Sequence, residues 1–261
     1  MKPAPPASSS PPIGVMDIGN SSISMGVLEL DRIRNRARID TGTWSRQSWQ
    51  THFQKWRDAG VEQVALASVA PSENAVIEHA AGRVFQQAPL WIHHRLKLGA
   101  AITYPEPESV GADRLANLAG AVARYRAPVI VVDIGTATTF DIIQPRKGYT
   151  GGIIAPGPAL MLEYLAEKTA LLPRIDLVPV RQRIGKSTEQ AMRLGALHGY
   201  RGMVKEIAIY LMRQMKNMNI TLCATGGYAR WVLKGMELPF IYDQDLTLYG
   251  IGRIFQLNQT G

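Results

Sequence analysis

Two tripeptides of one composition, Asp17-Ile18-Gly19 and Asp133-Ile134-Gly135, each close an apolar run and each precede small polar residues. Glycine lacks a Cβ, so a phosphate oxygen can come close to the backbone amides of such a turn. Ser21, Ser22, Thr136, Thr138 and Thr139 would offer hydroxyls to the same anion, and each aspartate would reach a cation that neutralises it. Magnesium favours one or two carboxylates together with phosphate oxygens. Two such hairpins facing each other would clamp a nucleoside triphosphate; alternatively, Asp-x-Gly is simply a tight turn. Thr225-Gly226-Gly227 is a third glycine turn, suited either to flat packing against adenine or ribose or to an ordinary strand-to-helix connection. Gly111-Ala112-Asp113-Arg114 opens an alanine- and leucine-rich stretch. Asp113 there is either a helix-dipole partner or a general base, with Arg114 fixing an anionic group or the transferring phosphoryl oxygens.

These residues need elements to hold them. Ile13 to Asn20 reads as a buried strand ending in an acidic, glycine-bearing turn, and Ile23 to Leu30 as the returning strand. Trp49, Phe53 and Trp56, at offsets of four and three, mark one face of a helix over Gln47 to Ala59. A strand over Val64 to Val69, a helix over Glu73 to Gln87 and a helix over Ala112 to Arg124 follow. The opening theme then returns in Val129 to Thr136 and in a second strand over Thr138 to Ile143. The two aspartates lie 116 residues apart, which suggests an internal duplication. Next come a helix over Ala159 to Thr169 and a capping box Ser187-Thr188-Glu189-Gln190, opening a helix to about Gly199. An amphipathic helix over Met203 to Lys216 and a strand over Ile220 to Ala224 lead into the third glycine turn. Strands alternating with helices predict an α/β fold.

The composition narrows the classes. Of 261 residues, 46% are hydrophobic, enough for a packed core and too many for a disordered chain. No apolar run approaches the ~20 residues that cross a bilayer, and the N-terminal residues lack the apolar stretch of a signal peptide. One cysteine, Cys223, allows no intrachain disulfide, and the five histidines form no zinc spacing with it. A soluble cytoplasmic protein is expected. The net charge of +8 attracts anions in general or merely solubilises the surface. Its densest stretch, Arg32, Arg34, Arg36 and Arg38, has period two, which predicts a strand with its arginines on one solvated face. No aromatics interleave with it to stack on bases, so the nucleic-acid signal is weak.

Six motifs in order carry a family resemblance: Asp17-Ile18-Gly19-Asn20, Gly111 to Arg114, Asp133 to Thr139, Gly151 to Gly157, Gly185 to Met192 and Ala224 to Gly227. Over about Ile13 to Leu257 the chain resembles the type III pantothenate kinases of the acetate kinase/sugar kinase/Hsp70/actin superfamily. The resemblance implies an α/β fold of two similar ribonuclease-H-like (actin-like ATPase) domains with an interdomain cleft. The expected division is a Pro/Ser-rich tail at 1–12, an N-terminal domain at 13–127 and a C-terminal domain at 128–261. It implies a cytoplasmic homodimer that phosphorylates pantothenate with ATP, Mg²⁺ and a monovalent cation, K⁺ or NH₄⁺.

Carried over residue by residue, Asp113 is the proton acceptor, and Gly111, Ala112, Asp113 and Arg114 line the pantothenate site together with Tyr104 and Thr188. Asp17, Ile18, Gly19, Asn20, Ser21, Ser22, Ile23 and Ser24 form the first phosphate loop, with Asp17 organising Mg²⁺; Thr136 touches ATP, and Asp133 ligates the monovalent cation. Asp141 is either an outer support or merely structural. Three features depart from the pattern: serine at 21 where the family commonly has threonine, the N-terminal tail, and the arginine run. The alternative is a kinase-like fold serving as a ligand sensor or transcriptional regulator. Such a protein would be expected to have lost at least one of Asp17, Asp113 and Asp133, and this chain has all three.

Overall fold

A computed structural model describes residues 11–179, 183–215 and 218–259; most of the expected tail, and Lys216, lie outside the described residues. The first half of the chain forms β1 (Ile13–Ile18), β2 (Ser22–Glu29), β3 (Arg32–Asp40), α1 (Arg46–Asp58), β4 (Gln63–Ser68), α2 (Pro71–Phe85), β5 (Leu90–Trp91) and α3 (Ala112–Tyr125). The second half forms β6 (Val129–Ile134), β7 (Ala137–Gln144), β8 (Gly148–Pro156), α4 (Pro158–Lys168), α5 (Thr188–Gln214), β9 (Thr221–Thr225), α6 (Ala229–Leu233), β10 (Ile241–Tyr242) and α7 (Leu246–Asn258).

The duplication is visible in the topology. One sheet has the order β3-β2-β1-β4-β5, the other β8-β7-β6-β9-β10. In both, the first strand pairs antiparallel with its hairpin partner and parallel with the strand that follows the helical crossover. These are two ribonuclease-H-like domains, each with a mixed five-stranded sheet.

One compact unit holds the residues through Ala100, Pro105–Ala123 and those from Asp245 onward; the other holds Ala101–Tyr104 and Arg124–Gln244. This differs from a cut at 127/128 in the segment Ala101–Tyr104, at the end of α3 and, as a whole element, in α7. By sequence α7 belongs to the second copy, but it packs on the first sheet. Glycines permit the approach: a Cβ on Gly252 would lie 2.2 Å from Leu28 Cδ2, and one on Gly250 1.8 Å from the Ala116 carbonyl oxygen. Thr247 Oγ1 donates to Asn117 Oδ1 across the same contact (2.8 Å).

In the first unit, Met16, Ile18, Ile23, Met25 and Leu66 pack against Trp49, Phe53 and Trp56, the three residues that predicted α1. In the second, Ile130, Val132, Ile134, Phe140 and Ala224 pack against Tyr200, Val204 and Leu211 of α5. Truncating one such aromatic to alanine costs about 3–5 kcal/mol.

Two expectations are corrected. The helices expected to Gly199 and from Met203 are one helix, α5. A glycine inside a helix costs only about 1 kcal/mol, which the apolar face from Met192 to Leu211 offsets. The arginine run forms β3 as expected, but its arginines do not share a face. The register slips between Met25 and Val27, and Asn35 takes φ 50°, making a bulge. Arg32 and Arg34 therefore face one side, while Arg36 and Arg38 face the other. Arg34 pairs with Glu29 (3.0 Å), Arg36 grips Asp245 through two nitrogens, and Arg38 Nε donates to Ser22 Oγ (3.0 Å). Much of the run is thus committed within the fold.

His52, half-buried on α1, has the rings of Trp44, Trp49, Phe53 and Trp56 around it at 4.7 to 6.5 Å. Burial, aided by Lys55, pushes its pKa down to about 4. A group titrating lower in the folded than in the unfolded chain contributes stability that is complete above the unfolded pKa, near 6.5, and lost as pH falls toward 4. Denaturant unfolding should therefore show stability dropping between pH 6.5 and 4.5, by on the order of 2 kcal/mol after discounting for partial exposure. His52→Phe should flatten that limb, and an unchanged slope would remove His52 as its cause.

Candidate active site

The first phosphate loop is a hairpin turn. Asp17 pairs with Ser24 and Ile18 with Ile23, and the Gly19 N–H donates to the Ser22 carbonyl (3.0 Å). Pleating decides the side chains: Ile18 and Ile23 point into the core, whereas Asp17, Ser22 and Ser24 are half-buried on the opposite face or in the turn. Asn20 and Ser21 are exposed at the tip. Ile18 and Ile23 can therefore serve a nucleotide only through their backbone. Thr41 braces the turn, its N–H donating to the Ser21 carbonyl (3.2 Å) and its hydroxyl to the Gly19 carbonyl (2.7 Å).

Gly111 opens α3, its carbonyl accepting the Leu115 N–H (3.0 Å). Asp113 Oδ1 accepts the Arg114 N–H (2.8 Å), which is the helix-start role of an aspartate. The carboxyl group nevertheless does more than cap. Burial raises its pKa, and that outweighs the opposing backbone hydrogen bond and the Arg114 charge. A carboxylate that gives up solvation in this way is a stronger base than a solvated one. It also folds back over Gly111, where a Cβ would lie 2.5 Å from Asp113 Oδ1 and 3.4 Å from Val69 Cγ1. The Val69 N–H donates to the Ile18 carbonyl (3.0 Å), so a single residue bridges the Asp113 corner and the end of β1. The first unit thus brings Asp17, the phosphate loop and Gly111 to Arg114 to one end of its sheet.

The second hairpin is one residue tighter. Asp133 pairs with Thr139, Ile134 with Thr138, and the Gly135 N–H donates to the Ala137 carbonyl (2.9 Å), leaving Thr136 exposed at the tip. Two other glycine turns close on it. A Cβ on Gly157 would lie 2.2 Å from the Gly135 and Thr136 carbonyl oxygens, and one on Gly226 (φ +94°) 2.5 Å from Asp133 Oδ1. The sequence alone leaves Gly226 and Gly227 as either an adenine-packing turn or a plain connection; the contact of Gly226 with Asp133 ties the turn to the hairpin. Thr138, expected to offer its hydroxyl to the anion, is instead fully buried, and its hydroxyl pairs with that of Tyr200. Ser22, named for the same task, has its hydroxyl engaged by Arg38.

Tyr104 is half-buried beside β8, its ring 5.9 Å from that of Tyr149 and against Gly151. Thr188 is the exposed first residue of α5. The capping box holds: Ser187 Oγ accepts the Gln190 N–H (3.3 Å), while Gln190 Oε1 reaches one residue further back than the standard box, to the Lys186 N–H (3.0 Å). Val69 was missed, since a valine at a strand end carries no chemical signal of its own. Cys223 is buried, with its thiol pushed up to about 12, and is inert.

A family model described as type III pantothenate kinase matches residues 15–209. The chain belongs to this family. A type III pantothenate kinase of Methylacidiphilum infernorum is 37% identical over 249 residues, covering 93% of this chain and 88% of that protein. One from Brevibacillus brevis is 36% identical and covers 94% and 99%. Among solved structures, the activator of the 2-hydroxyisocaproyl-CoA dehydratase from Clostridium difficile with bound ADPNP superposes with a TM-score of 0.53 at 10% identity, covering 95% and 96%. That likeness is one of fold.

Gly111→Ala should separate placement of the pantothenate kinase carboxylate from folding. The added methyl would displace the Asp113 side chain, a movable neighbour, and so lower kcat about tenfold or more, with the melting temperature within a few degrees of wild type. An alanine variant with full turnover would show that the position of Asp113 against Gly111 is immaterial.

Proposed function

We propose that the chain transfers the γ-phosphoryl group of ATP to the primary hydroxyl of pantothenate, giving ADP and 4′-phosphopantothenate, the first committed step of coenzyme A synthesis. Membership of the family supplies the substrates. The observation that carries the chemistry is the desolvated Asp113 carboxyl at the start of α3.

The acceptor hydroxyl oxygen forms a bond to the γ-phosphorus as the bond from that phosphorus to the β–γ bridging oxygen breaks, and the hydroxyl proton passes to Asp113. In a loose transition state the proton leaves late, so Asp113 acts first by aiming the hydroxyl and then as base. Arg114 steadies pantothenate or the transferring oxygens. Ala112, Tyr104 and Thr188 complete the pantothenate site. Asp17 through Ser24 hold ATP phosphates, and Thr136 contacts ATP from the second hairpin.

Mg²⁺ would supply charge neutralisation on the phosphates. No group of three or more His, Cys, Asp or Glu among the described residues could hold a metal. The half-buried Asp17 with phosphate oxygens suits an ion that asks little more of the protein. Asp133 with its neighbouring hydroxyls suits K⁺ or NH₄⁺. No described helix is long and apolar enough to cross a membrane, and the use of ATP suits a cytoplasmic enzyme. A sensor or regulator without catalysis is not favoured, since the curated relatives matched bear the name of the kinase.

Incubation with ATP, Mg²⁺, K⁺ and pantothenate should add one phosphoryl group to pantothenate by mass spectrometry. Asp113→Asn should bind ATP normally and lose about 10²-fold or more in kcat. The acid limb of kcat/KM should lie above the ordinary carboxylate range, because protonating the raised Asp113 removes the base. Wild-type turnover by the asparagine variant would take Asp113 out of the mechanism.

The second proposal is a homodimer. Leu160, Tyr164 and Leu165 are exposed on α4, whose Leu162 packs inward near Met192 of α5, and Leu171 and Ile184 are exposed nearby in the chain. Exposed apolar side chains of this kind suit burial against a second copy. Light scattering should give about twice 28.7 kDa, and Tyr164→Glu with Leu165→Glu should give monomers. A wild-type monomer would refute the dimer.

A further inference from the structure

The two copies of the fold place an aspartate at the same point of the sheet and furnish its surroundings differently. In the first, Asp17 lies between Ser24 of β2 and Ala67 of β4. In the second, Asp133 lies between Thr139 of β7 and Thr225 of β9. Paired residues in a sheet point to the same side, so the second copy has a row of three oxygen-bearing side chains where the first has two.

The next position along the hairpin differs more. Gly26, opposite Val15, sits where a Cβ would meet Ile33 Cγ2 at 2.7 Å, with Leu248 of α7 beyond. Its counterpart opposite Val131 is Asp141, which is fully buried. Burying a carboxylate is expensive unless something uses it. Thr139 Oγ1 donates to Asp141 Oδ2 (3.3 Å). A hydroxyl has one hydrogen and two lone pairs. With its hydrogen committed to Asp141, Thr139 has only lone pairs left to offer, which can face a hydrogen-bond donor or a cation.

We propose that Thr139 and Thr225 flank Asp133 as oxygen ligands of the monovalent cation, and that Asp141 is the positioning residue that orients the Thr139 hydroxyl for it. This rests on the reading of Asp133 as the cation ligand. Three observations carry it beyond that reading: the in-register row, the buried carboxylate behind one of its members, and the absence of both from the equivalent place at Asp17. Gly226 adds a wall, since its backbone closes on Asp133 Oδ1 too tightly for any side chain. Oxygen donors from neutral groups around a single carboxylate suit a singly charged ion, which oxygen ligands strip of its water.

Thallium(I), a spectroscopic stand-in for K⁺, provides a direct test. Its dissociation constant is measured by thallium NMR on the full chain saturated with Mg²⁺ and a non-hydrolysable ATP analogue. Wild type should bind and Asp133→Asn should not. Thr139→Val and Thr225→Val should each weaken binding about tenfold or more, and Thr139→Ser should stay within about threefold. Asp141→Val should match Thr139→Val, whereas Asp141→Asn, which keeps a carbonyl oxygen to accept from Thr139, should stay near wild type. Melts in choline chloride identify variants that misfold; should Asp141→Val be one, the Thr139 valine and serine pair decides. Tight binding by Thr139→Val alongside loss in Asp133→Asn would overturn this inference and leave the Asp133 reading intact. No thallium bound by wild type would end both.

Discussion

A strand paired on both sides and covered on both faces places a charge at least cost at its end. β1 and β6 are of this kind, apolar until their last two residues and acidic at the next to last. That constraint concentrates the chemistry. Polar side chains collect where parallel strands terminate, which is where open α/β sheets bind their ligands. Asp17 and Asp133 follow directly from it. Asp113 follows at one remove, since α3 begins beside Val69 and Val69 continues β4 past that same edge.

The three carboxylates then diverge by surroundings. Asp113 stands at a helix start, where backbone amides and Arg114 favour the anion, yet burial wins and raises its pKa. A helix terminus contributes at most about 2 kcal/mol in favourable geometry, whereas removing water from a carboxylate can shift its pKa by several units. The balance leaves a group more basic than a solvated aspartate, as a base acting on an alcohol requires. Glycine at 111 matters for the same reason. It lets the carboxylate lie against the bare Cα instead of swinging toward solvent.

Much of this was legible in the sequence because hairpins and amphipathic helices are local. The repeated Asp-Ile-Gly, with strands on both sides, pointed to two equivalent sheets, and the spacing of Trp49, Phe53 and Trp56 located α1 within a residue or so at each end. What stayed hidden depended on partners distant in the chain. Nothing about Arg32 to Arg38 announces the bulge at Asn35, which arises from pairing with β2 and divides the run between two faces. The continuity of α5 through Gly199 and Gly202 depends on the surface beneath it, not on helix propensity. Thr138 looked like its neighbours Thr136 and Thr139, and only the pleat decides that its hydroxyl goes inward to Tyr200. The return of α7 to the first sheet rests on glycines whose purpose is apparent only against Ala116 and Leu28.

That return also explains how one frame came to hold two kinds of acidic site. On the first sheet, α7 covers the face that Asp17 shares with Gly26 and Leu28, and Leu248 fills the space beside Gly26. A second carboxylate there would meet apolar atoms and no donor. On the second sheet the same face carries Thr139, Asp141 and Thr225, and a buried carboxylate is tolerable because a hydroxyl beside it donates. The difference between the halves therefore lies largely in what packs against each sheet, while strand order remains shared. A duplicated fold can specialise in this way with its sheet topology intact.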